Sequence, residues 1–73
     1  MKRKKKPPTP LRALLTELRQ KAGYTQQGLA EALGVAITRV RDYEQGRTEP
    51  KWKYLFALAD ILGVDVNTFR RSL

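Results

Sequence analysis

The tightest constraint in this chain is a connection of three residues. Two amphipathic runs, residues 26–33 and 37–45, are separated only by Gly34, Val35 and Ala36. Leu29, Ala30 and Leu33 fall on one face of the first run, and Val40 and Tyr43 on one face of the second, which is helical rather than strand spacing. Thr25 stands where an N-cap belongs, and Gly34 and Gly46 stand where helices stop. Two helices joined this closely must cross at a steep angle. The first needs a small residue at the crossing, and Ala30 is small. The connection needs a residue able to take positive φ, and Gly34 is one. The apolar residues must meet beneath it, as Leu29, Leu33, Val35, Val40 and Tyr43 do.

The same punctuation organises the rest of the chain. Thr9 and Pro10 read as N-cap and first helical residue. Leu11, Leu14, Leu15 and Leu18 then recur at i, i+3, i+4 and i+7, and Gly23 closes this first helix. Thr48–Pro50 reads as a turn. A fourth helix, about Trp52 to Leu62, places Leu55, Leu58, Ala59 and Leu62 inward and ends at Gly63. Asp65 caps a last helix with Val66 and Phe69 inward. No segment alternates as a strand would, so the expected fold is all-α: one compact five-helix domain over residues 9–73. Residues 1–8 differ in kind. Lys2, Arg3, Lys4, Lys5 and Lys6 form an unbroken basic run, with Pro7 and Pro8 after it, so a disordered basic arm is expected there.

Composition narrows the function. The chain has 73 residues, room for one small domain, and 41% of them are apolar. It lacks Cys and His, which removes disulfides, thiolate metal sites and the commonest general base. No cofactor or metal is called for, and no small-molecule substrate is expected. No apolar stretch approaches the ~20 residues of a membrane span, and no apolar run follows the basic start as a secretory signal requires. Lys and Arg number 15 against 7 Asp and Glu, a net charge of +8. A field of this sign makes a polyanion the natural partner.

Steeply crossed helices joined by a short glycine turn are the geometry of a helix-turn-helix. The residues also carry a resemblance. Thr25-Gln26-Gln27-Gly28-Leu29-Ala30-Glu31-Ala32-Leu33-Gly34-Val35, then Val40, Tyr43-Glu44-Gln45-Gly46 and Pro50, resemble the helix-turn-helix of the phage repressor and Cro-type family. These are DNA-binding regulators of the xenobiotic-response-element-like kind. Leu62-Gly63-Val64 is similar to the family's closing elements, and the resemblance spans residues 11–70. Two positions depart from the pattern. Ala36 stands where the family usually has a capping Ser or Thr, an omission worth about 1 kcal/mol. Gly28 stands where a better helix former is usual, at a cost of up to about 1 kcal/mol.

The resemblance implies sequence-specific binding to double-stranded DNA, with the third helix in the major groove. Opposite Val40 and Tyr43 that helix carries Thr38, Arg41, Asp42 and Gln45, with Ile37 and Arg39 on the flanks. The positions matching the family's base readers are Ile37, Thr38, Arg41 and Asp42. Arg41 has the chemistry to bond guanine bidentately, Asp42 to accept from cytosine N4, Thr38 to offer a hydrogen bond or a methyl, and Ile37 to pack on thymine. The same four would also suit a plain solvated face, and Asp42 could instead pair with Arg39 or Arg41. Gln26 matches the family's phosphate-contacting glutamine, at a helix start that favours an anion. Arg39, Arg47, Thr48, Lys51 and Lys53 lie beside or after the third helix and suit backbone phosphates. Glu44 falls about 40° from Val40, too near the buried face for a free carboxylate. In the family this position pairs with the one matching Arg19, a structural salt bridge. The arm residues Lys2, Arg3, Lys4, Lys5 and Lys6 would add phosphate or minor-groove contacts, or serve as a solubilising tail.

Trp52 is expected in the core. Tyr54, Leu58 and Ile61 form a second stripe, either a homodimer surface or more core. The leading expectation is a transcriptional regulator, a repressor, working in the cytoplasm on the nucleoid. The alternative is an antitoxin-type module that binds a toxin protein and regulates its own operon, and toxin capping would then fall to the folded surface. Catalysis is not expected, because the seven acids form no evident pair and there is no Gly-rich phosphate loop. RNA is the lesser nucleic-acid partner, since its deep, narrow major groove would not admit the third helix.

Overall fold

The computed structural model describes residues 10–70. They form α1 (Leu11–Lys21), α2 (Gln26–Leu33), α3 (Ile37–Gln45), α4 (Trp52–Leu62) and α5 (Asn67–Arg70), with no strand among the described residues. The bounds of α2, α3 and α4 are those the caps and glycines imply. At α1, the expected Thr9 cap lies outside the described residues. Pro10 is not the first helical residue but the one before it, extended at φ −59° and ψ 147°. Its carbonyl accepts the Leu14 N–H at 3.0 Å, so the ring, which has no N–H to donate, still opens the helix. The last helix starts at Asn67, whose N–H donates to Asp65 Oδ1 at 2.8 Å. Val66 precedes it half-buried, and Phe69 is fully buried.

One core joins all five elements. Leu11 and Leu15 of α1, Leu29 and Ala30 of α2, Val40 and Tyr43 of α3, four residues of α4 and Phe69 of α5 form a single cluster. The closest packing is α2 on α3, α1 on α3 and α2 on α4, so the second half of the motif is held on two sides. Leu29, Val40, Leu58 and Phe69 are wholly removed from solvent, and each fully buried side chain of this kind stabilises the fold by about 1.5–3 kcal/mol.

The turn between α2 and α3 is as tight as the spacing demands. Gly34 takes the left-handed conformation at φ 79°, which an L side chain enters only with strain. Its N–H donates to Ala30 O at 2.8 Å and the Val35 N–H to the same oxygen at 3.0 Å, closing the end of α2. At the other end of α2 the Thr25 hydroxyl accepts the Gly28 N–H at 2.9 Å. A Cβ at Gly28 would stand 3.1 Å from that hydroxyl oxygen. Glycine therefore spares the cap a small displacement, which offsets part of its propensity cost. Ala36 precedes α3 in extended conformation and makes no side-chain cap. The Arg39 N–H falls back on the Ala36 carbonyl at 3.0 Å.

The structure corrects one expectation about α4, the place of Trp52, and decides for core over dimer surface in the stripe of Tyr54, Leu58 and Ile61. Trp52 is not in the core but 51% exposed, and Phe56 is 56% exposed. The angle of Trp52 around the helix matches the buried stripe. It is the first residue of α4, however, and stands at the helix end rather than over the core. Its ring meets Phe56 one turn on, with centroids 5.9 Å apart. Leu58 is wholly buried, so Tyr54, Leu58 and Ile61 do not form a surface stripe; Tyr54 and Ile61 only edge the core.

The uncapped start of α3 generates a prediction. Ala36→Ser supplies the missing acceptor and raises stability by about 1 kcal/mol. The readout is a higher urea midpoint at unchanged slope. An unmoved or lowered midpoint contradicts it.

Candidate nucleic-acid interface

The face of α3 is set by what its other face buries. Val40 and Tyr43 point into the core, which leaves Thr38, Arg39, Arg41 and Gln45 exposed and Asp42 half-exposed. Thr38, Arg41, Asp42 and Gln45 therefore share one surface, as expected. Ile37 is half-buried and packs against the core, because it lies only about 60° from Val40 around the helix. It presents an edge rather than a whole side chain. Asp42 pairs with neither Arg39 nor Arg41. Its partner is Arg47, just past the helix, with Oδ1 and Nη1 3.9 Å apart and both side chains open to water. A pair this long and exposed contributes little, so the Asp42 carboxylate is available to other donors.

A buried-edge junction fixes the rotation of that face. Arg19 of α1 donates from Nε to Glu44 Oε2 at 2.7 Å and from Nη2 to Glu44 Oε1 at 3.3 Å. Its third nitrogen, Nη1, donates to the Tyr24 carbonyl at 2.8 Å. Gln26 of α2 donates from Nε2 to Glu44 Oε1 at 3.1 Å. The Arg19 and Glu44 side chains are only 12% and 5% exposed. The paired guanidinium and carboxylate thus tie α1, the α1–α2 turn, α2 and α3 together at one point. The Arg19–Glu44 pair stands where expected. The Gln26 bond has no counterpart in the sequence pattern, because no local spacing links residue 26 to residue 44 and only the steep crossing of α2 and α3 brings them together; the Tyr24 bond is a local one, closing the α1–α2 turn onto Arg19. With one amide hydrogen committed to Glu44, Gln26 keeps its second hydrogen and its carbonyl oxygen at the start of α2.

The opposite flank of α3 is a polar cleft of about 470 Å³. Ala36, Thr38, Arg39, Asp42 and Tyr43 line its helix side, and Thr48, Glu49, Lys51 and Tyr54 its far side. Of the residues expected to suit phosphates, the cleft gathers Arg39, Thr48 and Lys51. Arg47 is exposed beside it, and Lys53 turns its ammonium over the Tyr54 ring, 5.2 Å from the centroid. Tyr54 was not foreseen here, since its spacing marks it as an edge of the core. Gln26 lies on the other flank, toward α2. The exposed α3 face thus runs between two polar borders, as a helix must when it enters a groove edged by two phosphate strands. The basic arm, Lys2 to Lys6, lies outside the described residues.

The junction generates a prediction. Glu44→Ala leaves Arg19 buried without its counter-charge and destabilises the domain by about 3 kcal/mol. Arg19→Ala has a similar effect, and the double substitution costs less than the sum by about 1–3 kcal/mol. Additive losses in urea unfolding contradict a shared junction.

Comparison with known proteins bears on what this surface meets. A family model described as a helix-turn-helix domain matches residues 10–71. The SPbeta prophage-derived uncharacterized HTH-type transcriptional regulator YonR of Bacillus subtilis (strain 168) is 40% identical over 53 residues, 73% of this chain and 49% of that protein. The chain thus spans about half the length of this relative. The ImmF control region 10 kDa protein of Bacillus phage phi105 is 33% identical over 62 residues, covering 85% of this chain and 69% of that protein. Among solved structures, the P22 c2 repressor protein in complex with a synthetic operator superposes with a TM-score of 0.79 at 22% identity, covering 85% of this chain and 94% of that one.

Proposed function

The chain belongs to the helix-turn-helix domain family, of the phage repressor and Cro type, and we propose that it is a transcriptional regulator binding double-stranded DNA sequence-specifically through α3. The observation that carries this reading is the α3 surface itself. Thr38, Arg41, Asp42 and Gln45 project from a helix held on two sides, between Gln26 on one border and Arg39, Thr48 and Lys51 on the other. Arg41 reads guanine from its O6 and N7 edge, Asp42 accepts from cytosine, and Thr38 meets a third base; Ile37 contributes an apolar edge to a thymine methyl. Gln26 on one border and Arg39, Arg47, Thr48, Lys51 and Lys53 on the other hold the backbone and fix the register. Lys2, Arg3, Lys4, Lys5 and Lys6 add non-specific grip. An exposed helix of this kind on a prophage-like regulator fits a repressor that occludes a promoter, acting on the nucleoid in the cytoplasm. No observation on the fold or among these relatives favours the antitoxin alternative.

Selection from random duplex DNA supplies the preferred site, and titrations across salt concentrations test the roles. Arg41→Ala costs about 1–3 kcal/mol on that site and relaxes the preference at one base position. Equal loss on random DNA makes Arg41 a phosphate contact and refutes the base-reading role. Deleting residues 2–6 lowers the log–log salt slope by about 4–5 if all five charges meet phosphates, and an unchanged slope refutes the arm's part.

The exposed Trp52–Phe56 pair favours a second element of the reading, a homodimer formed on DNA. Each ring is about half exposed. At 150–250 Å² per aromatic side chain the two present roughly 200 Å², against about 800 Å² per partner in a stable complex. Such a seam is too small to hold two copies in dilute solution but suffices to couple copies already placed on adjacent half-sites. The protein should sediment as a monomer at micromolar concentration and bind a paired site cooperatively. Trp52→Ser with Phe56→Ser should abolish the cooperativity and spare single half-site affinity; cooperativity that survives both substitutions contradicts the seam.

A further inference from the structure

We infer that Arg12, on the first turn of α1, is a DNA-backbone contact that extends the border of the α3 surface beyond Thr48. The inference rests on the DNA-binding reading of α3. Nothing in the sequence near Arg12 points to it, because it lies 34 positions before the residue that places it, Gly46. The Arg12 stem lies directly across Gly46, the residue that ends α3. A Cβ built on Gly46 would stand 2.8 Å from Arg12 Cδ. Gly46 holds φ 76°, a conformation that closes α3 and that an L side chain enters only with strain. The glycine thus serves twice: it turns the chain out of α3, and it leaves the space through which the arginine passes.

The position of that stem decides what the guanidinium can reach. Continuing the helical sweep of α3, Gly46 falls beside Arg39 and opposite Gln26, so Arg12 crosses on the flank of the polar cleft. A second, smaller hollow adjoins that cleft. Arg12, Gly46, Thr48 and Glu49 line it, and it shares Tyr43, Thr48 and Glu49 with the first. The Thr48–Glu49 segment is therefore a ridge, with Arg39 and Lys51 on one side and Arg12 on the other. A phosphate strand lying along this border meets Thr48 and Arg39 first and Arg12 next. Arg12 is exposed, and no ion pair joins it to Glu49 or to any other carboxylate among the described residues. Its five donors are not committed to an acid, while its stem is braced by packing. That combination suits a phosphate contact better than a freely rotating surface charge would.

The competing role is structural. A cation near the end of α3 also favours the negative pole of that helix. The two roles separate by measurement on the full chain. Affinity for the selected duplex is titrated across salt concentration for the unchanged protein, Arg12→Ala, Arg12→Lys and Arg41→Ala, with thermal midpoints recorded for each. A backbone contact predicts that Arg12→Ala weakens binding about three- to tenfold and lowers the salt slope by about 0.9. The loss should be equal on preferred and random duplexes, with the midpoint little changed. Arg12→Lys should keep the slope. If Arg12→Ala lowers the midpoint but leaves affinity and slope as they were, the structural role is correct and the inference is overturned. If Arg41→Ala also leaves binding untouched, the DNA-reading role of α3 fails with it; loss at Arg41 alone refutes only the place given to Arg12.

Discussion

The carboxylate of Glu44 decides which residues of α3 face outward. It receives Arg19 from α1 and Gln26 from α2 at once, in a position where neither ion is well solvated. The pair therefore acts as a register pin more than as a source of stability, since desolvation offsets much of the attraction between buried ions. Its consequence for the surface is large. Neighbouring positions on a helix are about 100° apart, so turning α3 by one residue would put Arg41 or Arg39 in the place of Val40 and expose Val40. Hydrophobic burial of Val40 and Tyr43 favours the observed rotation, and the charged junction penalises every other one, because each would strand Arg19 without its partner. The two constraints act side by side on the inward part of the helix, since Glu44 lies about 40° from Val40.

The surface that results divides two tasks between two kinds of group. On the proposed reading, attraction to the DNA backbone is spread over the exchangeable cations Arg39, Arg47, Lys51 and Lys53 on one border, with Gln26 on the other, and its strength falls with salt. On the same reading, discrimination between sequences would fall to a few side chains with fixed directions, and these would need the rigid mounting that α1 and α2 give. A long, solvated lysine is useful at the border and useless for reading a base edge. The same distinction accounts for the placement of Gln26. One of its amide hydrogens is spent on Glu44, so the remaining polar edge is held in one direction at the start of α2, where the helix dipole also favours an anion.

Much of this architecture was legible in the sequence, for local reasons. Thr25, Gly34, Gly46 and Gly63 mark helix ends through backbone chemistry that needs no tertiary partner; α2 begins at the first, and α2, α3 and α4 end where the three glycines place them. The outward face of α3 followed from the apolar spacing of Val40 and Tyr43 alone. What the sequence did not disclose depends on distance along an axis or across the chain. Periodicity gives the angle of Trp52 around α4 but not its height above the core, and at the first residue of the helix height decides exposure. Asp42 found Arg47 rather than a helical neighbour because the chain turns back at Gly46, and Gln26 and Arg12 meet their partners only through helix crossings. Local chemistry identifies elements, whereas the contacts that orient a binding surface are mostly non-local.

The most direct measurement is a nuclear Overhauser study of the isotope-labelled chain bound to a duplex recovered by selection. Contacts should run from the side chains of Thr38 and Arg41 to base protons on the major-groove edge, such as cytosine H5 and thymine methyl groups. Backbone shifts should concentrate at the start of α2 and between residues 37 and 51. Contacts confined to sugar protons, or shifts centred on Trp52 and Phe56 with α3 undisturbed, would contradict insertion of this helix into the groove.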